Sequence, residues 1–139
     1  MLSKGSLLGI IAGSITYWVL EGLWMGVVMA EHYRTAYAGF ASVMRPEESM
    51  NPAIWFVNTT LFAIMIVWVL KRGEVSVRSG ATVGAVLGVL ITASMEWMMN
   101  AYFMNYPLIP TSVYGVIWEA VSCGATGAVI GLVLTKMKD

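Results

Sequence analysis

The chain has 139 residues, 58% of them hydrophobic and 12% charged, with a mean hydropathy of +0.74 and no net charge. A soluble domain covers its surface with roughly 25% charged residues, so this composition excludes an ordinary soluble domain. The balanced charge offers no basic surface to a nucleic acid, and a lone cysteine, Cys123, excludes an intramolecular disulfide.

Four apolar runs follow one another, near 5–30, 52–70, 80–104 and 111–135. About 20 apolar residues match the hydrocarbon thickness of a bilayer. Backbone groups in lipid must satisfy one another, so the runs are helices. The reading is an all-α membrane protein, one domain, a four-helix up-down bundle.

The first run follows Lys4 and carries Gly5, Gly9, Gly13 and then Glu21. It is longer than the ~7–15 apolar residues of a signal peptide and holds a glutamate, so it is read as an uncleaved anchor. The segment 31–51 follows, with His32, Arg34 and Arg45 and the stretch Pro46-Glu47-Glu48. Ser49 or Asn51 is placed to cap the second helix, with Pro52 in its first turn.

The second run carries Asn58 and Thr59. The third repeats the first at a shift of 75: Gly80, Gly84, Gly88 and Glu96 fall on Gly5, Gly9, Gly13 and Glu21. A tight turn with Tyr106, Pro107 and Pro110 leads to the fourth run, where Gly131, Gly127, Cys123 and Glu119 give the same pattern in reverse. Lys4, Lys71, Arg72, Arg78, Lys136 and Lys138 fall on one side and Arg34 and Arg45 on the other, which puts both termini in the cytoplasm.

Positions four apart form one ridge of a helix. The small residues bring helices together in the cytoplasmic half. The outer half holds Trp18, Trp24, Trp55, Trp97 and Trp118 and most of the methionines, so the bundle is expected to widen there. In each of three helices a glutamate lies eight residues outward from a glycine pair, ~12 Å at 1.5 Å per residue. Glu21, Glu96 and Glu119 are therefore expected at one depth, with Trp18, Trp97, Trp118 and Asn58 around them.

Carboxylates in a membrane usually face the bundle interior and act there. Three in one low-dielectric region do not readily all ionise, so some are expected to hold protons. Two readings follow. In the first, the cavity binds or transports a cation, or a cationic small molecule held by carboxylate and cation–π contacts. In the second, the glutamates are interhelical hydrogen-bond glue in a structural or accessory subunit, partnered by Tyr17, Thr92, Asn100 and Ser122. Methionine thioethers could take Cu(I), but Met is read as apolar filler. His32 is read as a loop histidine and Cys123 as inert. No metal set and no cofactor is recognised. No nucleophile elbow, P-loop or zinc motif occurs, so the chain is not read as an enzyme. The lipid bilayer is the partner, and a homodimer would widen a narrow cavity.

The stretch Gly22-Leu23-Trp24-Met25-Gly26, then Pro46-Glu47-Glu48-Ser49-Met50, the opening Gly80-Ala81-x-x-Gly84-Ala85 and the closing Gly127-Ala128-Val129-Ile130-Gly131 carry a resemblance over most of the chain. It resembles an uncharacterised family of small four-helix bacterial membrane proteins, grouped as a domain of unknown function. That implies a multi-pass protein of a bacterial inner membrane and transfers no functional residue. In size and helix number the chain is also similar to the small multidrug transporters, which use a membrane glutamate among aromatics. It lacks their motif arrangement and has three such glutamates.

Overall fold

A computed structural model describes residues 3–44, 49 and 51–137. The expectations about Arg45, Pro46, Glu47, Glu48, Met50 and Lys138 lie outside the described residues. Helix α1 runs Lys4–Leu23 and continues through a wide turn, Trp24–Val28, into the short helix α2, Ala30–Ala36. Then come α3, Pro52–Leu70, and α4, Val77–Tyr102. A turn at Leu108–Ser112 leads into α5, Val113–Lys136. Four of these segments are long and apolar enough to cross a membrane.

The helix starts are written locally. Ser3 accepts from the Ser6 N–H at 3.2 Å and opens α1. Asn51, rather than Ser49, caps α3: its side chain accepts from the Ala53 N–H at 2.9 Å, with Pro52 in the first turn. Ser76 and Ser79 form a reciprocal capping box, so α4 starts three residues before the expected Gly80. The last turn of α4 gives way to Phe103 in extended geometry and to Asn105 at φ 61°. Ile109 is extended as well, so the chain reaches α5 through a broken turn.

α5 is the hub. It packs most closely on α4, then on α1, and α1 carries α3 on its other side. The glycines explain this. Gly5, Gly9, Gly13, Gly80, Gly84, Gly88, Gly124, Gly127 and Gly131 are all buried. In the α4–α5 seam a Cβ added at Gly80 would stand 2.9 Å from the Gly127 carbonyl carbon, and one at Gly84 2.8 Å from that of Cys123. Backbone meets backbone along three turns, which is how helices gain dispersion energy in lipid, where burial of apolar surface supplies little.

The α1–α3–α5 contact is built from larger groups. Ile10, Tyr17, Phe62, Ala63, Ile66, Val67, Leu70 and Ile130 form its core with Cys123. Lys71 Nζ reaches Ser6 Oγ at 3.0 Å, so both termini and the α3–α4 connection share one end, called basal here. Towards the other end the bundle opens. Every residue of the first two turns of α3, from Pro52 to Asn58, is exposed, and α2 lies at that end.

Candidate functional site

Glu21 and Glu119 face each other's helices. The Trp118 indole N–H, on α5, donates to Glu21 Oε1 at 2.7 Å. The Tyr17 hydroxyl, on α1, donates to Glu119 Oε2 at 2.8 Å, and the Cys123 thiol donates to the same oxygen at 3.0 Å. The α1 pair Tyr17 and Glu21 is one turn apart, and Trp118 and Glu119 are adjacent, so the two carboxyls sit at one level. Tyr17 in turn rests on Phe62 of α3, with ring centres 5.2 Å apart. Every partner is a neutral donor. Among the described residues neither carboxyl forms an ion pair with Lys or Arg.

Glu96 does not join them. Its Oε2 accepts from the Tyr106 hydroxyl at 2.9 Å and from the Ser112 hydroxyl. Tyr106 lies 3.3 Å from the Tyr37 hydroxyl of the segment after α2. The expectation of one depth for three glutamates is therefore corrected. The α4–α5 seam closes with Gly80 against Gly127, which leaves Gly88 against the Glu119 carbonyl at 2.7 Å for an added Cβ. Glu96 is eight residues beyond Gly88 and so stands ~12 Å nearer the open end than Glu119. Counting outward from glycine pairs assumed that Gly88 opposes Gly127.

A covering of aromatic residues separates the Glu21–Glu119 pair from the open end. Trp24 stacks on Trp118 with centres 4.5 Å apart and planes 5° from parallel. The wide turn after Leu23, with the Met29 N–H bonded to the Trp24 carbonyl, sends the chain on into α2. The Trp24 indole N–H donates to the Tyr33 hydroxyl at 3.2 Å, and that hydroxyl approaches Gly115 of α5. Tyr33 stacks on Tyr37, which meets Tyr106 edge-on. His32 sits 3.0 Å from Thr111 Oγ1 and edge-on to Tyr114. Burial raises the hydroxyl pKa of Tyr33, of Tyr37 and of Tyr106, all outside the spans.

Of the residues expected around the glutamates, Trp118 is in contact. Trp18 is 39% exposed and Trp97 67% exposed, so both turn outward, and Asn58 lies on the exposed first turns of α3. Each was placed by depth alone, and depth does not fix which face of a helix looks inward. Trp24, Tyr33, Tyr37, Tyr106 and Ser112 were not expected at the site. Tyr33 and Tyr37 are four apart, a helical spacing that marks an interfacial helix in the segment otherwise read as a loop. The methionines Met95, Met98 and Met104 are exposed. Among the described residues no three His, Cys, Asp or Glu side chains converge to hold a metal.

Fold and site together define a small multi-pass helical membrane protein with carboxyls inside the bundle. The chain belongs to the family described as "Predicted membrane protein (DUF2177)", whose model matches residues 6–133. No curated protein and no solved structure matches it.

Proposed function

We propose that this protein binds and passes a single positive charge, a proton or a cationic species, at the Glu21–Glu119 pair. The observation that carries the reading is the partner set. Two carboxyls on facing helices are held by neutral donors, indole, phenol and thiol among them, and among the described residues no Lys or Arg pairs with either to balance a charge. An ionised carboxylate without a counter-charge is costly in a bilayer. The balance then comes from what is bound. The aromatic covering of Trp24, Trp118 and Tyr33 marks the approach from the open end. The excess of Lys and Arg at the basal end supports a cytoplasmic basal end, and the location proposed is a bacterial inner membrane. The reading is not enzymatic.

Proteoliposomes test it. Flux of protons and of a panel of monovalent and organic cations is measured for wild type and for Glu21→Gln/Glu119→Gln. The expected result is a flux lost in the double variant and largely kept in Glu96→Gln. A double variant that conducts like wild type would sink it.

A second reading has its own support. Each glutamate has a bond that crosses between elements: Glu21 and Glu119 join α1 to α5, and Glu96 joins α4 to the turn before α5. As glue in an accessory subunit, the glutamates would matter for folding alone. The glutamine variants would then lose stability in proportion to any lost flux, and a larger complex would co-purify.

A further inference from the structure

Ser122 and Thr126 stand one turn apart on the ridge of α5 that turns to α1, on the basal side of Trp118. Both are 0% exposed, and among the described residues neither hydroxyl completes a hydrogen bond. The Ser122 hydroxyl lies beside the Glu21 carboxyl.

Other hydroxyls in these helices are satisfied locally. Ser14 donates to the Ile10 carbonyl at 2.7 Å, Thr59 to that of Phe56 at 2.9 Å and Thr135 to that of Gly131 at 2.7 Å. The bond to a preceding carbonyl is open to any Ser or Thr in a helix. Ser122 and Thr126 do not take it. An unpaired hydroxyl away from water is costly, and a buried water is the usual partner in such a place.

We propose that water held by Ser122 and Thr126 hydrates the basal side of the Glu21–Glu119 pair, and that the charge exchanged there is the proton. This rests on the reading of the pair as an exchange site and names its ligand. In the step, a proton leaves the Glu21 carboxyl and bonds to the water oxygen beside Ser122. That leaves a carboxylate at Glu21 and a hydronium held by the Ser122 and Thr126 hydroxyl oxygens. One O–H bond is made for each one broken, and no oxidant or reductant takes part. The groups that face this point are Glu21 and Tyr17 from α1, Glu119 and Cys123 from α5 and Tyr33 from α2. α3 presents Phe62 and α4 presents Gly88, neither of which titrates.

The test is proton flux in proteoliposomes for Ser122→Ala/Thr126→Val beside Ser122→Thr/Thr126→Ser, with folding followed by thermal melting. Removing both hydroxyls is expected to lower proton flux on the order of tenfold or more, the scale of a lost hydrogen-bonded relay. The hydroxyl-keeping pair is expected to restore it. Wild-type flux in Ser122→Ala/Thr126→Val, with flux lost in Glu21→Gln/Glu119→Gln, would overturn the water and leave the carboxyl pair standing. Preference of wild type for sodium or an organic cation over protons would overturn the choice of ligand. Wild-type flux in the glutamine variant would remove the exchange site itself. X-ray radiolytic footprinting of wild type needs no variant: labelling at Ser122 and Thr126 is expected from internal water, and a peptide left unlabelled would overturn the proposal.

Discussion

Gly84→Ala separates close packing from mere apolar composition. An added Cβ at Gly84 stands 2.8 Å from the Cys123 carbonyl carbon and 3.3 Å from Gly127 Cα. Non-bonded carbons settle at about 3.5–4.0 Å, so the carbon contact alone asks α4 and α5 to part by roughly 0.7 Å at that turn, and the Cys123 carbonyl oxygen, nearer still, asks for more. Backbone cannot rotate aside as a side chain can. Overpacking of this kind costs about 1–3 kcal/mol, and the seam also loses neighbouring contacts, so ~2–3 kcal/mol is expected. Gly127→Ala meets the Gly80 carbonyl carbon at 2.8 Å and should cost the same. The two together should cost less than their sum, because one parting of the helices serves both. Gly124→Ala is the control: its Cβ would find Ala85 Cβ at 3.5 Å and the Ala81 carbonyl at 3.6 Å, ordinary contacts. It should be neutral within about 0.5 kcal/mol or slightly stabilising through helix propensity. Unfolding by sodium dodecyl sulfate in mixed micelles, followed by helicity, reads all four. If Gly84→Ala and Gly124→Ala unfold together, the seam is not packed as described.

Tyr33, Tyr37 and Tyr106 ionise above the ordinary 10.0 because burial disfavours the anion. Since the folded pKa is the higher one, their contribution to stability is complete below about pH 10 and is lost as pH rises through the folded values. Tyrosinate absorbance should therefore lag that of the denatured chain, and Tyr106→Phe should shrink the lag; coincident titrations would count against the aromatic covering. Cys123 is fully buried, so maleimide should fail to label folded protein and label it readily in denaturant, whereas prompt labelling of the native state would mean an open α4–α5 seam.

Much of the fold is legible in the sequence because lipid leaves few options. A long apolar run must be a helix, and small residues four apart must be a seam, as Gly80, Gly84 and Gly88 turn out to be. The register of that seam is not legible. It depends on which glycine of α4 meets which glycine of α5, and a shift of two turns moved Glu96 away from Glu119. The internal repeat pointed to the right residue types and the wrong common depth. Sidedness failed for a related reason. Trp97 is next to Glu96 in the chain, but adjacent residues on a helix point about 100° apart, so it faces outward. Tyr33 was hidden by its place in a polar segment, although its spacing to Tyr37 is helical. Ser122 could be named as a partner of the glutamates from sequence. That its hydroxyl is left unpaired is a fact of packing alone.

The glue reading and the exchange reading share every hydrogen bond described. They part over whether anything binds. Thermal stability of purified protein, across pH and a panel of cations, with wild type beside Glu21→Gln/Glu119→Gln, tests that most directly. A ligand at 100 times its Kd adds about 2.7 kcal/mol to the folded state. The account predicts that wild-type stability responds to pH or to a cation and that the response vanishes in the double variant. Identical profiles for the two proteins under every condition would contradict it.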